Sequence, residues 1–190
     1  MNVYRVLWLF SWLLACLNAE GQGFTLYNTG ASSDGDFEAS GGVCLMGGSS
    51  ENDEAMTWFL ERAGGGDIVV LRASGSDGYN DYLFNDLGVD INRVTTIVCQ
   101  GMSASSNATV LDLVNGAEGI WFAGGDQADY HNLWQGTALN DAINNALVER
   151  NIVIGGTSAG MAILGGLRFT ALYGTVSVSY THLRAHETDR

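Results

Sequence analysis

Apolar residues in this chain fall into short unbroken runs that alternate with amphipathic stretches. "GGVCLMGG", "DIVVLRAS", "VTTIVC", "GIWFAGG" and "IVIGG" are each too short for a helix and are bounded by glycine or polar residues, so each predicts a buried strand. Between them lie stretches with helical spacing. "SSENDEAMTWFLERAGGG" places Ala55, Met56, Phe59, Leu60 and Ala63 on one face, with Ser50 and Asp53 as a capping box and glycines as the stop. "GSDGYNDYLFNDLG" predicts a polar loop running into a short helix, and "NATVLDLVNGA" a helix. "DQADYHNLWQGTALNDAINNALVERN" predicts one long helix with Leu139, Ile143, Ala146 and Leu147 on its buried face. "SAGMAILGG" starts a last helix, and "GFTLYNTG" adds one strand to an otherwise polar leader.

Continuously apolar strands alternating with helices imply parallel strands, buried on both faces and joined by right-handed crossovers. The expected fold is therefore α/β, an open, mostly parallel sheet with helices on both faces. No internal repeat or linker divides it. Ligands of such sheets bind at the carboxyl ends of the strands. Those ends read "MGGSS", "RASGSDGY", "CQG", "AGGDQ" and "GGTSAG", rich in glycine and small polar residues where backbone N–H groups can approach a ligand.

Composition narrows the function. The 190 residues are 46% hydrophobic and 15% charged, which fits one folded domain. The net charge of −13 disfavours nucleic acid, whose phosphates an acidic surface repels, and tolerates cationic substrates. The chain has no lysine, so its eight Lys+Arg cations are all arginine. At the N-terminus Arg5 precedes an apolar run over residues 6–15 followed by small residues, the layout of an export signal over residues 1–19. "LLAC" also resembles a lipobox, with Cys16 as the lipidated residue and the one route to a membrane anchor. The expected domain spans residues 20–177. Cys44 and Cys99 lie in strand-like runs, where export permits a disulfide and burial favours free thiols. No Cys–His spacing suggests a metal, and nothing calls for a cofactor.

The chemistry concentrates at residues 156–160. "GTSAG" fits G-x-S-x-G, with an apolar strand before it and an apolar helix after it. This pattern makes a sharp turn that exposes the serine at its apex, here Ser158. The bland alternative is a tight turn with a structural serine. A neighbouring strand ends in "FAGGDQ", where a Gly125 N–H can face the Ala159 N–H across an attacked carbonyl as an oxyanion hole. Asp126 and Gln127 are candidates for holding polar parts of a substrate, and Asp126 is also placed to cap the following helix.

"FAGGDQ" and "GGTSAGM", with "GGS" after the first strand and "RASGSDGYNDYL" after the second, resemble the cyanophycinase and dipeptidase E family of serine peptidases, on its cyanophycinase-like branch. The resemblance spans about residues 41–177. It implies a fold akin to class I glutamine amidotransferases, with serine at the nucleophile position. It also implies hydrolysis of peptide or isopeptide bonds, in cyanophycinases the β-aspartyl-arginine linkages of a storage polymer. A peptide or polypeptide substrate, Arg-bearing in that case, is the implied partner.

A serine nucleophile requires a base. The family's histidine motif, resembling Asp-Gln-His-Phe or Asp-Thr-His-Phe, is absent after Ser158. His182 and His186 fall in "SYTHLRAHETDR", which resembles a translated sequencing-adapter tail and is expected to be non-native from about residue 178. His131 reads as a surface or supporting histidine. The expectation is an incomplete serine peptidase with little or no hydrolysis. An α/β-hydrolase-type esterase shares G-x-S-x-G but lacks its HGGG-type partner here, and a non-catalytic binding module that keeps the pocket is the third reading.

Overall fold

The computed structural model describes residues 23–174. In chain order its elements are β1 (Phe24–Gly30), β2 (Gly42–Met46), α1 (Asp53–Arg62), β3 (Asp67–Arg72), α2 (Gly78–Asp81) running into a π-helical turn (Tyr82–Asp86), and β4 (Arg93–Cys99). A 3-10 turn (Met102–Ser106), α3 (Ala108–Gly116), β5 (Gly119–Phe122), α4 (Gln127–Trp134), α5 (Ala138–Val148), β6 (Val153–Thr157) and α6 (Ala159–Ala162) complete it. The expected export signal, Cys16, and the expected non-native tail with His182 and His186 lie outside the described residues.

The strands form one sheet in the order β1-β4-β3-β5-β6-β2. All neighbours are parallel except β1, which pairs antiparallel with β4 from Phe24↔Cys99 to Gly30↔Arg93. The fold is the expected mostly parallel α/β sheet, and the polar leader supplies its antiparallel edge. The four inner strands are buried almost end to end, which is why they read as unbroken apolar runs.

One face packs under α1 and the α2 turn, through Met56, Phe59, Leu60, Ile68, Val70, Leu83, Trp121 and Val153. The other packs under α3, α4 and α5, through Leu71, Ile97, Val110, Val114, Phe122, Tyr130, Trp134, Leu139 and Ile154. Each fully buried large side chain contributes about 1.5–3 kcal/mol by leaving water. Trp121 meets Phe59 edge-on at 5.2 Å. Gly155 on the adjacent strand makes room for the indole, since a Cβ there would lie 2.5 Å from it.

Several local expectations are corrected. The cap of α1 is Asn52, whose side chain accepts from the Ala55 N–H at 2.9 Å, not a Ser50–Asp53 box. Asp53 instead accepts from the Tyr82 hydroxyl. The predicted long helix is two helices. Gly136 (φ 70°) turns the chain, and Thr137 caps α5 through the Asn140 N–H, so the pattern restarts at Ala138. On α5, Leu139 and Ala146 are buried, whereas Ile143 is half-buried and Leu147 exposed. The strand read from "GGVCLMGG" is an edge, with Cys44 buried under α1 while Val43 and Leu45 are exposed. The helix after Ser158 is a single turn. Cys44 and Cys99 are both free and buried.

At the amino ends of the strands, Asp67 pairs with Arg93 and accepts from Asn92, while Glu118 accepts from the Asp67 N–H and faces Arg150 at 3.5 Å. This buried polar cluster anchors the end of the sheet away from the cleft described next. No helix among the described residues is long and apolar enough to cross a membrane.

Candidate active site

Ser158 stands between β6 and α6 with φ 53° and ψ −117°, a backbone conformation that ordinary L-residues seldom adopt. Holding it costs about 1–3 kcal/mol, so the surroundings must impose it. They do so through three constraints. The Ser158 N–H donates to Met46 O at 3.0 Å, extending the β2–β6 ladder by one rung. A Cβ on Gly156 would lie 2.7 Å from Gly160 C, so only glycine lets the chain fold back this tightly. A Cβ on Gly160 would lie 2.1 Å from Phe122 O, so only glycine lets α6 rest against the end of β5. The two glycines of G-x-S-x-G thus have separate steric reasons. Thr157 and Ala159 are buried while Ser158 between them is exposed.

Ser158 faces an open cleft of about 670 Å³ at the carboxyl ends of β2, β3, β5 and β6. One wall is the loop after β2. Gly48 (φ 111°) lies against the serine, its hypothetical Cβ 3.4 Å from Ser158 Oγ, and Ser49 holds φ 77° beside it. The opposite wall is the β3 end and α2. Arg72 donates Nε–H to Ser74 O at 2.5 Å and an Nη1–H to Ser76 O at 2.8 Å. Among the described residues it has no carboxylate partner. Asn80 anchors this wall. Its amide donates to Tyr27 O, Thr29 Oγ1 and Val94 O, and its oxygen accepts from Thr96 at 2.7 Å.

Two phenol–carboxylate pairs line the rim. The Tyr79 hydroxyl donates to Glu51, and the Tyr82 hydroxyl to Asp53 at 2.8 Å. Burial first, and these carboxylates second, push both phenols well above the usual tyrosine range. They remain neutral donors across the physiological range. The cleft therefore offers one guanidinium and two carboxylates around an exposed hydroxyl.

The other sequence-predicted residues take different positions. Ala159 follows the serine as the first residue of α6. Gly124 lines the cleft, its hypothetical Cβ 3.6 Å from Ser158 Cβ, whereas Gly125, Asp126 and Gln127 lie just past the lining. Asp126 caps α4, accepting from the Ala128 N–H at 2.8 Å. His131 lies in a separate 330 Å³ groove between α4, α5 and α6, with Trp134, Ile143 and Leu147. Among the described residues no histidine lines the cleft. Gly48, Glu51, Arg72 and Tyr79 were not singled out from sequence, although the strand-end segments "MGGSS" and "RASGSDGY" carry Gly48, Arg72 and Tyr79.

Comparison with known proteins fits this arrangement. The profile of Peptidase family S51 matches residues 77–182, more than half the chain. The chain belongs to Peptidase family S51. This S51 chain is 30% identical over 134 residues to the cyanophycinases of Synechococcus elongatus and Thermosynechococcus vestitus, which covers 65% of it and 41% of each relative. It thus spans about two fifths of the length of the curated relatives it matches. Its fold is similar to the crystal structure of a peptidase from an acI-B1 Actinobacterium, with a TM-score of 0.55 and 17% identity over 67% of this S51 chain and 58% of the other.

Proposed function

We propose that this chain carries the nucleophilic half of a serine peptidase, with Ser158 as nucleophile. The observation that carries the reading is the exposed serine in strained backbone inside the cleft, held by the Met46 carbonyl and two irreplaceable glycines. Attack by Ser158 Oγ on a peptide carbonyl forms a tetrahedral oxyanion. Backbone N–H groups of Ala159 and Gly125 are its donors in this reading, and such donors typically supply several kcal/mol. The proton acceptor comes from outside the described residues, because His131 lies in another groove.

The finer proposal concerns the substrate. An isopeptide bond of the β-aspartyl type leaves a free α-carboxylate beside the scissile carbonyl. Arg72, fixed by two carbonyls and without a carboxylate partner among the described residues, suits that group. Glu51 and Asp53 suit an arginine side chain, and Asp126 and Gln127, just past the lining, are positioned for more distal parts. The similarity to cyanophycinases points the same way. Export is part of the proposal, supported by the apolar run over residues 6–15.

The test is product release from β-aspartyl-arginine polymer by the purified chain, with and without added imidazole as a substitute base. Slow cleavage that imidazole accelerates and Ser158→Ala abolishes is expected. Cleavage of simple esters but no peptide substrate selects an esterase. Substrate binding without turnover of either selects a binding module.

A further inference from the structure

The segment Gly124–Gly125 is held between two side chains. A Cβ on Gly124 would point to Ser158, 3.6 Å from its Cβ, while one on Gly125 would point to Tyr130, 3.0 Å from the hydroxyl. Ser158 and the Tyr130 hydroxyl therefore both lie against this segment, the serine at Gly124 and the phenol at Gly125. Tyr130 is almost wholly buried on α4, and its ring stacks on Trp134 at 4.4 Å with planes 9° apart. Its hydroxyl donates back to Ala123 O at 2.8 Å and shares the proton with Gly124 O at 3.1 Å. Two consecutive carbonyls thus turn toward one phenol.

A trans peptide unit is planar, with its C=O and the next N–H pointing in opposite directions. The described residues contain no cis peptide bond. Drawing the Ala123 and Gly124 carbonyls to Tyr130 therefore turns the Gly124 and Gly125 N–H groups away from the phenol. Two successive N–H groups aimed at one point form an anion-accepting nest. Among the described residues neither N–H donates to a backbone carbonyl. Left alone, a Gly-Gly pair has great conformational freedom and would hold no such aim. Burial pushes the Tyr130 phenol up to about 12, so the donating proton stays in place.

We propose that Tyr130 is a positioning residue that sets the oxyanion donors of the β5–α4 loop by binding the two carbonyls behind them. The proposal rests on the reading of Ser158 as nucleophile. It predicts that the hydroxyl acts on the chemical step and leaves ligand binding nearly unchanged.

Saturation kinetics of Ser158 phosphonylation by an alkyl fluorophosphonate, followed by intact mass on the 190-residue chain, test this. No histidine among the described residues lines the cleft, and labelling is expected to be slow but measurable even so, because an oxyanion hole and binding retain substantial rate without a triad base. Tyr130→Phe keeps the ring and its stack. It is expected to lower the maximal labelling rate by roughly tenfold to a hundredfold, with the half-saturating probe concentration little changed. Trp134→Phe loosens the same stack without touching the carbonyls and is expected to label at the parent rate. Gly125→Ala, whose methyl crowds the hydroxyl, is expected to repeat the Tyr130→Phe result by another route. Parent-like maximal rates in Tyr130→Phe and Gly125→Ala overturn the proposal and leave the Ser158 reading intact. An equal loss in Trp134→Phe also overturns it, because packing alone then accounts for the effect. If the parent itself acquires no label at Ser158, the functional reading falls and this inference falls with it.

Discussion

Gly160→Ala sets two effects of opposite sign against each other. Glycine inside a helix is normally destabilising by about 0.5–1 kcal/mol relative to alanine, so helix propensity alone predicts that α6 gains. The structure predicts a loss. A methyl at Gly160 would lie 2.1 Å from Phe122 O and 2.6 Å from Ala123 O. Side-chain carbons essentially never come within 3.0 Å of such atoms, so something must move by about 1 Å. The β5 end has little room to yield, because the Ala123 N–H is bonded to Leu71 O and the Ala123 carbonyl to Tyr130. The displacement therefore falls on α6 and on Ser158 beside it. Overpacking against backbone costs about 1–3 kcal/mol, which exceeds the propensity gain. A misplacement of this size can cost about a hundredfold in rate. Urea unfolding and the rate of Ser158 phosphonylation measure the two consequences. Gly166→Ala, with open space around its Cβ, is the control and is expected to stay within about 0.5 kcal/mol of the parent. A Gly160→Ala chain as stable as the parent and labelled at the parent rate would refute the steric argument for the turn.

Further expectations concern the frame around the site. Arg93→Met leaves Asp67 buried without its cation and is expected to cost about 3–5 kcal/mol in urea unfolding, where a loss below about 1 kcal/mol would mean the pair is dispensable. The Tyr79, Tyr82 and Tyr130 phenols all have folded pKa values above the unfolded value, so their contribution to stability is complete below about pH 10. It is lost as pH rises through the folded values, about 12 for Tyr130. Phenolate absorbance should therefore show these three ionising only with alkaline unfolding, and ionisation of all tyrosines together near pH 10 in a folded chain would contradict the burial argument. Cys44 and Cys99 are expected to react with a thiol reagent only on unfolding, Cys99 the more strongly protected because burial pushes its thiol up to about 12. Prompt modification of the native chain would contradict their burial.

The parallel sheet was readable because strands such as Ile68–Leu71 and Gly119–Phe122 are buried on both faces, and that leaves an unbroken apolar signature. The serine turn was readable because its sterics demand glycine at two fixed spacings, and those demands are local. The break at Gly136 was harder, since a glycine within a helical pattern is often tolerated and the pattern restarts at Ala138, two residues on. The cleft walls were not readable as a set. Glu51, Arg72 and Gly124 come together only through the order β3-β5-β6-β2, which places β2 beside β6, more than a hundred residues later in the chain. The exposure of Val43 and Leu45 has the same origin, because edge position is a property of strand order and not of the strand. The two carbonyl contacts of Tyr130 depend on loop geometry that no residue pattern encodes.

The central claim is that the fold exposes Ser158 as the reactive serine of this S51 chain. The most direct measurement is peptide mapping of the native chain after exposure to a fluorophosphonate. A single adduct on the peptide containing Ser158, absent in Ser158→Ala and lost when the chain is unfolded in urea before labelling, is the predicted result. No adduct at Ser158, or adducts spread over several serines at similar rates in native and unfolded chains, would contradict it.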